Sequence, residues 1–293
     1  MLERKEFDIL VAIEKGSKSQ RDIAKLTGLS LGTVNTVMNN LADNGLIKDK
    51  CLTGLGYKSL EPYKCKRAIF IAAGFGSRMV PITLNTPKPL VRVNGKRIID
   101  GLIDACLEAG INDIYIVRGY LGDQFNQLLD KYPMIKFLDN DMFNEANNIS
   151  SAILAKDLLE NAYVFEADLV ISNPNIIDKY HYCSDFLGFK VDRTDDWCFI
   201  TKNKVIQEQV VGGVNCYQEI GISYWNEEDG KKLAVDIPEV FSMPGGKEKY
   251  WDQVPMLVFK KRYHVEVKEC QKEDIIEIDT FKELCAIDSS YKI

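Results

Sequence analysis

The chemistry legible in this chain begins with two glycines, an arginine and a lysine set between prolines. Ala73-Gly74-Phe75-Gly76-Ser77-Arg78 directly follows the apolar run 67–72. Two glycines let backbone N–H groups come close to a phosphate. Arg78 adds a guanidinium fork suited to bidentate phosphate contact. Further on, Thr86-Pro87-Lys88-Pro89-Leu90 restricts the backbone around Lys88 and presents it as a point charge. A Rossmann fingerprint would need glycine where Met79 stands, and a Walker loop would need Gly-Lys-Ser/Thr; neither is present. Taken alone, the glycine pair fits a simple tight turn equally well.

Acidic residues form the second group. Glu166-Ala167-Asp168 ends an apolar stretch, and strand alternation would put Glu166 and Asp168 on one face. Glu277-Ile278-Asp279 repeats the pattern after Ile275-Ile276. Read singly, Asp168 also fits a cap or a turn, and Asp279 the N-cap of a helix from Thr280. The three tryptophans each sit beside a carboxylate or a tyrosine, in Asp195-Asp196-Trp197, Ser223-Tyr224-Trp225 and Tyr250-Trp251-Asp252. Aromatic faces beside acids suit a quaternary ammonium. Plain core packing is the competing reading for each tryptophan. His181 and His264 stand in no motif, and Lys260-Lys261-Arg262 reads as a solvated turn.

These residues need a scaffold that brings strand ends together. Strand 67–72 leads into the glycine loop. Helix 97–109 then precedes strand 113–117, helix 121–130 precedes strand 134–138, and helix 149–159 precedes strand 162–166. Alternating strands and helices imply a mostly parallel sheet covered on both faces, with ligands at the strand carboxyl ends. From 183 the strands come in succession, at 183–190, 197–201, 204–209 and 214–225, as antiparallel additions over the site.

The combination Ile71–Arg78, Pro81-Ile82-Thr83 and Pro87-Lys88-Pro89-Leu90 resembles the signature of the nucleotidyltransferases that make nucleoside-diphosphate sugars and alcohols, over residues 67–290. The resemblance implies that Ala72, Ala73, Gly74, Phe75, Gly76, Ser77 and Arg78 hold the nucleotide, with Arg78 on the leaving pyrophosphate. It implies that Lys88 holds the phosphates near the reacting centre and that Asp168 and Asp279 bind Mg²⁺. Arg78, Lys88, Asp168 and Asp279 are thus the expected catalytic set.

Asn147-Asn148-x-x-Ser151 and Tyr250-Trp251-Asp252 further resemble bacterial CTP:phosphocholine cytidylyltransferases. That likeness implies Asn147, Asn148 and Ser151 at the nucleotide, and Trp197, Tyr224, Tyr250, Trp251, Asp252 and Glu277 around the acceptor's cation. The expected partners are CTP and phosphocholine, giving CDP-choline and pyrophosphate. Phosphoethanolamine and 2-aminoethylphosphonate are alternative acceptors. A sugar phosphate fits less well, because the Glu-Lys-Pro tripeptide typical of sugar-nucleotide enzymes is absent. A ligand-sensing transcription regulator with a transferase-like domain is the alternative of a different class.

The first 60 residues read differently. Phe7, Ile9, Leu10, Val11 and Ile13 form one helical face over 3–15, Ser19-Gln20-Arg21-Asp22 opens a short helix to Leu26, and a third helix starts at Ser30. Leu46–Lys50 and Tyr57–Leu60 are expected as the strands of a wing. The order helix, short helix, Gly-containing turn, helix is that of a helix-turn-helix, and the block resembles MarR-type winged helices. DNA contact is expected here if anywhere: residues 1–60 carry a net +2, against −6 for all 293 residues. Ser30, Thr33, Asn35, Thr36 and Asn39 would face the major groove, with no arginine among them. A packing or dimerisation module is the other reading.

The expected fold is therefore α/β: a winged helix-turn-helix domain over 1–62, then a Rossmann-like nucleotidyltransferase domain with a mixed, mostly parallel sheet over 63–293. Glu61–Lys64 reads as a linker, since Pro62 interrupts the pattern. The start lacks the apolar stretch of a signal peptide, and no apolar run approaches the roughly 20 residues of a membrane span. The eight cysteines are scattered without a Cys-x-x-Cys pair, so they read as reduced. A cytoplasmic location without membrane contact follows as the expectation, and a homodimer is left open.

Overall fold

The computed structural model describes residues 1–292 and divides into two units. The first comprises Met1–Lys64 together with Tyr180–Tyr182, and the second Cys65–Lys179 with Cys183 onward.

In the first unit, α1 (Arg4–Glu14), α2 (Gln20–Thr27) and α3 (Leu31–Asp43) pack on Phe7, Leu10, Ile23, Val34 and Leu41. Local chemistry sets their ends. Ser19 and Ser30 accept the N–H groups of Asp22 and Thr33 at 3.1 Å, capping α2 and α3. Gly28 closes α2 in the left-handed conformation. The wing is tighter than expected. β1 (Ile47–Lys48) and β2 (Cys51–Leu52) pair across Asp49 and Lys50, both at positive φ. The segment expected as the second wing strand, Tyr57–Leu60, is instead part of helix α4 (Gly54–Leu60). Thr53 caps it by accepting the Gly56 N–H, and Gly56 lies so close to the Leu46 carbonyl that a side chain would not fit. Gly56 thus serves a close approach within a helix rather than a turn. Tyr63, placed in the expected linker, is a core residue stacked on Tyr182 with centroids 5.8 Å apart.

The second unit contains β3 (Arg67–Ala72), the short pair β4 (Arg92–Val93) and β5 (Lys96–Arg97), α5 (Ile98–Glu108), β6 (Asp113–Arg118), β7 (Lys136–Asp139), α6 (Ile149–Ala155), β8 (Ala162–Glu166) and β9 (Leu169–Ile171). Then follow β10 (Ser184–Lys202), β11 (Val205–Trp225), α7 (Glu227–Phe241), β12 (Val265–Glu269), β13 (Ile275–Glu277) and α8 (Phe281–Ile287). Among the described residues the main sheet has seven strands in the order β10-β12-β11-β8-β3-β6-β7. β8, β3, β6 and β7 are parallel, and β11 runs against β8. The mixed, mostly parallel α/β reading therefore holds.

Helices lie on both faces. Phe70 and Phe165 stack under Ile99, Leu102 and Ile103 of α5. On the other face, Ile69 and Val164 meet Ile149 and Ala152 of α6 and Leu233 and Ile237 of α7. This double burial is why 67–72 reads as an unbroken apolar run.

Three elements differ from expectation. The helix expected over 121–130 is a 3-10 segment, Gly122–Leu128. The strands expected at 183–190 and 197–201 form one 19-residue strand, and those at 204–209 and 214–225 one of 21 residues, with several register shifts between them. Helix α7 was unforeseen, because it contains Gly230 and Pro238. Gly230 lets α7 close onto the Leu159–Glu160 backbone, where a Cβ would meet atoms at 2.5–2.6 Å.

Candidate active site

β3 ends at Ala72 and its chain turns through the glycine loop. Because β8 lies parallel to β3 with Ile71 opposite Glu166, the acidic end of β8 arrives beside that loop. The C-terminal segment closes the site from a third direction. β13 pairs antiparallel with β9, Glu277 lies opposite Leu169, and the Ile278 N–H donates to the Asp168 carbonyl at 3.3 Å. Residues 111 positions apart thus present Asp168 and Asp279 to one point, and that point is occupied by Lys88. Its Nζ lies 2.7 Å from Asp168 Oδ2 and 3.0 Å from Asp279 Oδ1. Arg78 Nη2 also donates to Asp279 Oδ1, at 2.7 Å. The N-cap of α8 is Thr280, so the cap reading of Asp279 is not the one realised.

Lys88 is only 8% exposed. Burial alone would lower its pKa, but the two facing carboxylates outweigh that and hold it above the ordinary value. Gly76 makes this placement fit. It has φ +62°, and a Cβ there would lie 2.9 Å from Lys88 Cβ and 3.1 Å from Thr83 Cγ2. Gly76→Ala should therefore push Lys88 off the carboxylates, besides costing about 1–2 kcal/mol of left-handed strain. The expected result is a melting temperature lowered by several degrees together with a clear loss of turnover, checked by thermal melts and pyrophosphate release. Unchanged turnover would show that Lys88 needs no such fit.

Two adjoining cavities open here, of about 290 and 210 Å³, sharing Arg78, Glu166, Tyr250, Glu277 and Asp279 in their walls. The larger is the loop side, lined by Ala72, Gly74, Gly76, Ser77, Lys88, Asn148 and Asp168. The smaller is bounded by Asp196, Trp197, Glu219, Gly221 and Asp252. Glu166, Asp168 and Glu277 bring carboxylate oxygens within 4.8 Å of one another, and Asp168 Oδ1 is buried without a hydrogen-bond partner among the described residues. Such a set of hard oxygen donors matches what Mg²⁺ prefers.

The crowding of acids shifts their protonation. Burial, then the carboxylates of Asp168 and Asp279, pushes Glu277 up to about 8. Burial, then Asp168, raises Glu166; burial, then Asp252, raises Glu219. Asp252 is raised by burial as well.

Several expected site residues lie elsewhere. Tyr224 is fully buried behind the sheet, donating from its hydroxyl to Asn161 Oδ1 at 3.1 Å. Trp251 is 2% exposed and packs edge-on against Trp225, centroids 5.8 Å apart, so it is core. Both expectations are corrected: each ring is large and apolar enough to be taken into a core cluster instead of the cavity wall. Ser151 is buried and accepts from Asn140 Nδ2 at 2.9 Å. Ala73 and Phe75 do not line the cavity; Phe75 packs outward between Tyr120 and Phe143.

Asn147 and Asn148 tie down a neighbouring loop. The backbone N–H of Asn147 donates to the Lys247 carbonyl at 2.7 Å, and its side chain to Glu248 at 3.1 Å. Asn148 Oδ1 accepts the Trp251 N–H at 2.8 Å. These bonds hold the loop that delivers Tyr250 and Asp252. Trp197 and Tyr250 meet edge-on across the smaller cavity, centroids 6.4 Å apart.

Sequence reading passed over Glu219 and chose neither Glu166 nor Asp196 for the site. One signal was available. Gly221 interrupts a strand pattern, and a Cβ there would lie 2.6 Å from Glu166 Oε2. A glycine inside a strand marks such close approaches, here the one that seats Glu166 against β11.

A mixed, mostly parallel sheet with a glycine loop, a buried lysine and convergent carboxylates at its strand ends is the frame of a nucleotidyltransferase. The chain belongs to the nucleotidyltransferase family, with a winged helix at its N-terminal side. Residues 67–204 match the nucleotidyl transferase family and 2–48 the winged helix-turn-helix DNA-binding family. The 2-aminoethylphosphonate cytidylyltransferase of Lancefieldella rimae is 36% identical, over 76% of this chain and 92% of its own length. The choline-phosphate cytidylyltransferase of Streptococcus pneumoniae is 32% identical, over 74% of this chain and 94% of its own. The solved structure of CTP:phosphocholine cytidylyltransferase from Streptococcus pneumoniae superposes with a TM-score of 0.71 at 31% identity, covering 77% of this chain and 99% of that one. No helix among the described residues is long and apolar enough to cross a membrane.

Proposed function

We propose that the chain transfers a cytidylyl group from CTP to a small phosphonate or phosphate bearing a primary ammonium, with 2-aminoethylphosphonate the foremost acceptor, releasing pyrophosphate. The observation that carries this is the smaller cavity. Asp196, Glu219, Asp252 and Glu277 surround only two aromatic rings, Trp197 and Tyr250. A primary ammonium has three N–H donors for these carboxyl oxygens, and its charge would favour the ionised form of the acids that burial raises. A quaternary ammonium has none and depends on aromatic faces, of which Trp251 and Tyr224 supply none here. The 36% identity to a 2-aminoethylphosphonate cytidylyltransferase supports the same choice.

In this reading the acceptor's phosphonate oxygen attacks the α-phosphorus of CTP in line. The new P–O bond forms as the bond from the α-phosphorus to the bridging β-oxygen breaks, and pyrophosphate leaves. The glycine loop's N–H groups, Lys88 and Arg78 meet the charge that builds on the phosphates. Asp168 and Asp279 would hold Mg²⁺, with Glu166 and Glu277 at hand. Bound there, the ion would neutralise charge at the reacting phosphates.

Phosphocholine is the second reading, favoured by the Trp197–Tyr250 pair and by the Streptococcus pneumoniae relative. Initial rates of pyrophosphate release at saturating CTP and Mg²⁺ separate the two. The primary amines should exceed phosphocholine in kcat/KM by about tenfold or more, since carboxylate hydrogen bonds are lost with the methylated head. A reversed order would establish phosphocholine instead.

For the first unit we propose DNA contact through α3, whose exposed face carries Ser30, Asn35, Thr36 and Asn39. Arg21 and Lys25 on α2 and Lys48 and Lys50 in the wing are exposed beside it in sequence order and would meet phosphates. Fluorescence anisotropy with duplex DNA should show binding that weakens as salt rises. No binding to any duplex at low salt would leave the packing-module reading.

A further inference from the structure

We propose that Gln209 is a positioning residue for the acceptor's cationic end, holding Glu219 and Asp252 as an acidic pair that faces the incoming ammonium. The inference rests on the reading of the acceptor as a cation.

Gln209 lies on β11, opposite Phe199, and is 3% exposed. Its Nε2 donates to Glu219 Oε2 at 2.8 Å and to Asp252 Oδ2 at 2.5 Å. One amide therefore spends its two hydrogens on two carboxylates from different elements, one on the strand and one on the loop tied to Asn148. Its Oε1 is buried and has no hydrogen-bond partner among the described residues. Turning the amide over would aim that oxygen at the carboxylates, so the acids themselves fix its orientation. Leaving a buried carbonyl unpaired is costly, and the arrangement holds because the two donated bonds go to acids.

Both Glu219 and Asp252 border the smaller cavity, and burial raises both carboxyls, so an ammonium that enters would favour their charged forms. Glutamine supplies donors without charge. A lysine here would supply donors and also neutralise the pair, removing its attraction for an incoming ammonium. The choice of a neutral donor thus keeps the pair rigid and still acidic, a combination that suits a ligand with N–H donors of its own.

That contrast gives the test. Gln209→Lys retains hydrogen bonding to both acids, so a purely structural role would tolerate it. Gln209→Met removes the donors at similar length. KM and kcat for CTP and for 2-aminoethylphosphonate are measured in the full chain, beside thermal melts. Gln209→Lys should melt like the wild type and raise the KM for the amine acceptor at least about tenfold, with the KM for CTP changed less than about twofold. Gln209→Met should shift the kcat/KM ratio from the primary amine toward phosphocholine. A Gln209→Lys variant that uses the amine acceptor as well as the wild type overturns the proposal, as does an equal loss for CTP and acceptor. Should the wild type release pyrophosphate with no ammonium-bearing acceptor, the acceptor reading itself fails, and that is seen before any variant is compared.

Discussion

Asp168→Asn or Asp279→Asn should reduce kcat by several kcal/mol of transition-state stabilisation, on the order of a thousandfold or more, with the fold retained. Both carboxylates face the same cation position at the carboxyl end of β8, now held by Lys88. Asparagine keeps the shape and a hydrogen-bond acceptor but removes a charge from a site that must balance the triphosphate. Asp279 has a second task, since its Oδ1 also accepts from Arg78. Its variant should therefore loosen Arg78 as well and raise the KM for CTP more than Asp168→Asn does. Circular dichroism and melting curves would establish folding, and pyrophosphate release would measure turnover. Near-normal kcat in either folded variant would remove that residue from the catalytic set.

Lys88→Ala should lose roughly 2.7–4 kcal/mol of transition-state stabilisation, the range seen when one preorganised donor is removed. A lysine between two prolines reads as a surface charge on a stiff loop, and its loss would then leave the fold untouched. The structure alters that expectation, because Lys88 is buried and bridges two acids. Without it, only Arg78, on Asp279, offsets the two facing carboxylates. A drop of a few degrees in melting temperature should accompany the loss of turnover, and added divalent cation should restore the melting temperature more than the rate. A variant with wild-type kcat would show that Lys88 serves stability alone.

The glycine loop, the Pro-Lys-Pro turn and the acid pairs were legible in the sequence because each is local. Gly76 needs a left-handed backbone and closeness to Lys88, and both needs show as a glycine just after a strand. The sequence could also show that acids stand at the ends of apolar runs. It could not show that β13 pairs with β9, which is what carries Asp279 to Asp168. Burial of single aromatics was equally hidden. Tyr250 and Trp251 are neighbours, yet one is 44% exposed at the cavity and the other 2% exposed in the core. Glu219 and Gln209 lie within long strands whose register shifts were not readable from alternation. Helix α7 escaped notice because Gly230 and Pro238 ordinarily argue against a helix, whereas tertiary contact with the Leu159–Glu160 backbone requires the glycine.

Cytidylyl transfer to an ammonium-bearing phosphonate or phosphate can be followed atom by atom by ³¹P NMR. The full chain is incubated with CTP, Mg²⁺ and 2-aminoethylphosphonate. The phosphonate resonance should convert to one coupled to the α-phosphorus of a cytidine nucleotide, while inorganic pyrophosphate appears in equal amount. Phosphoethanolamine and phosphocholine in its place rank the acceptors. CTP that stays intact with all three, or that is only hydrolysed without a new phosphorus–oxygen–phosphorus linkage, would rule out cytidylyl transfer to these acceptors.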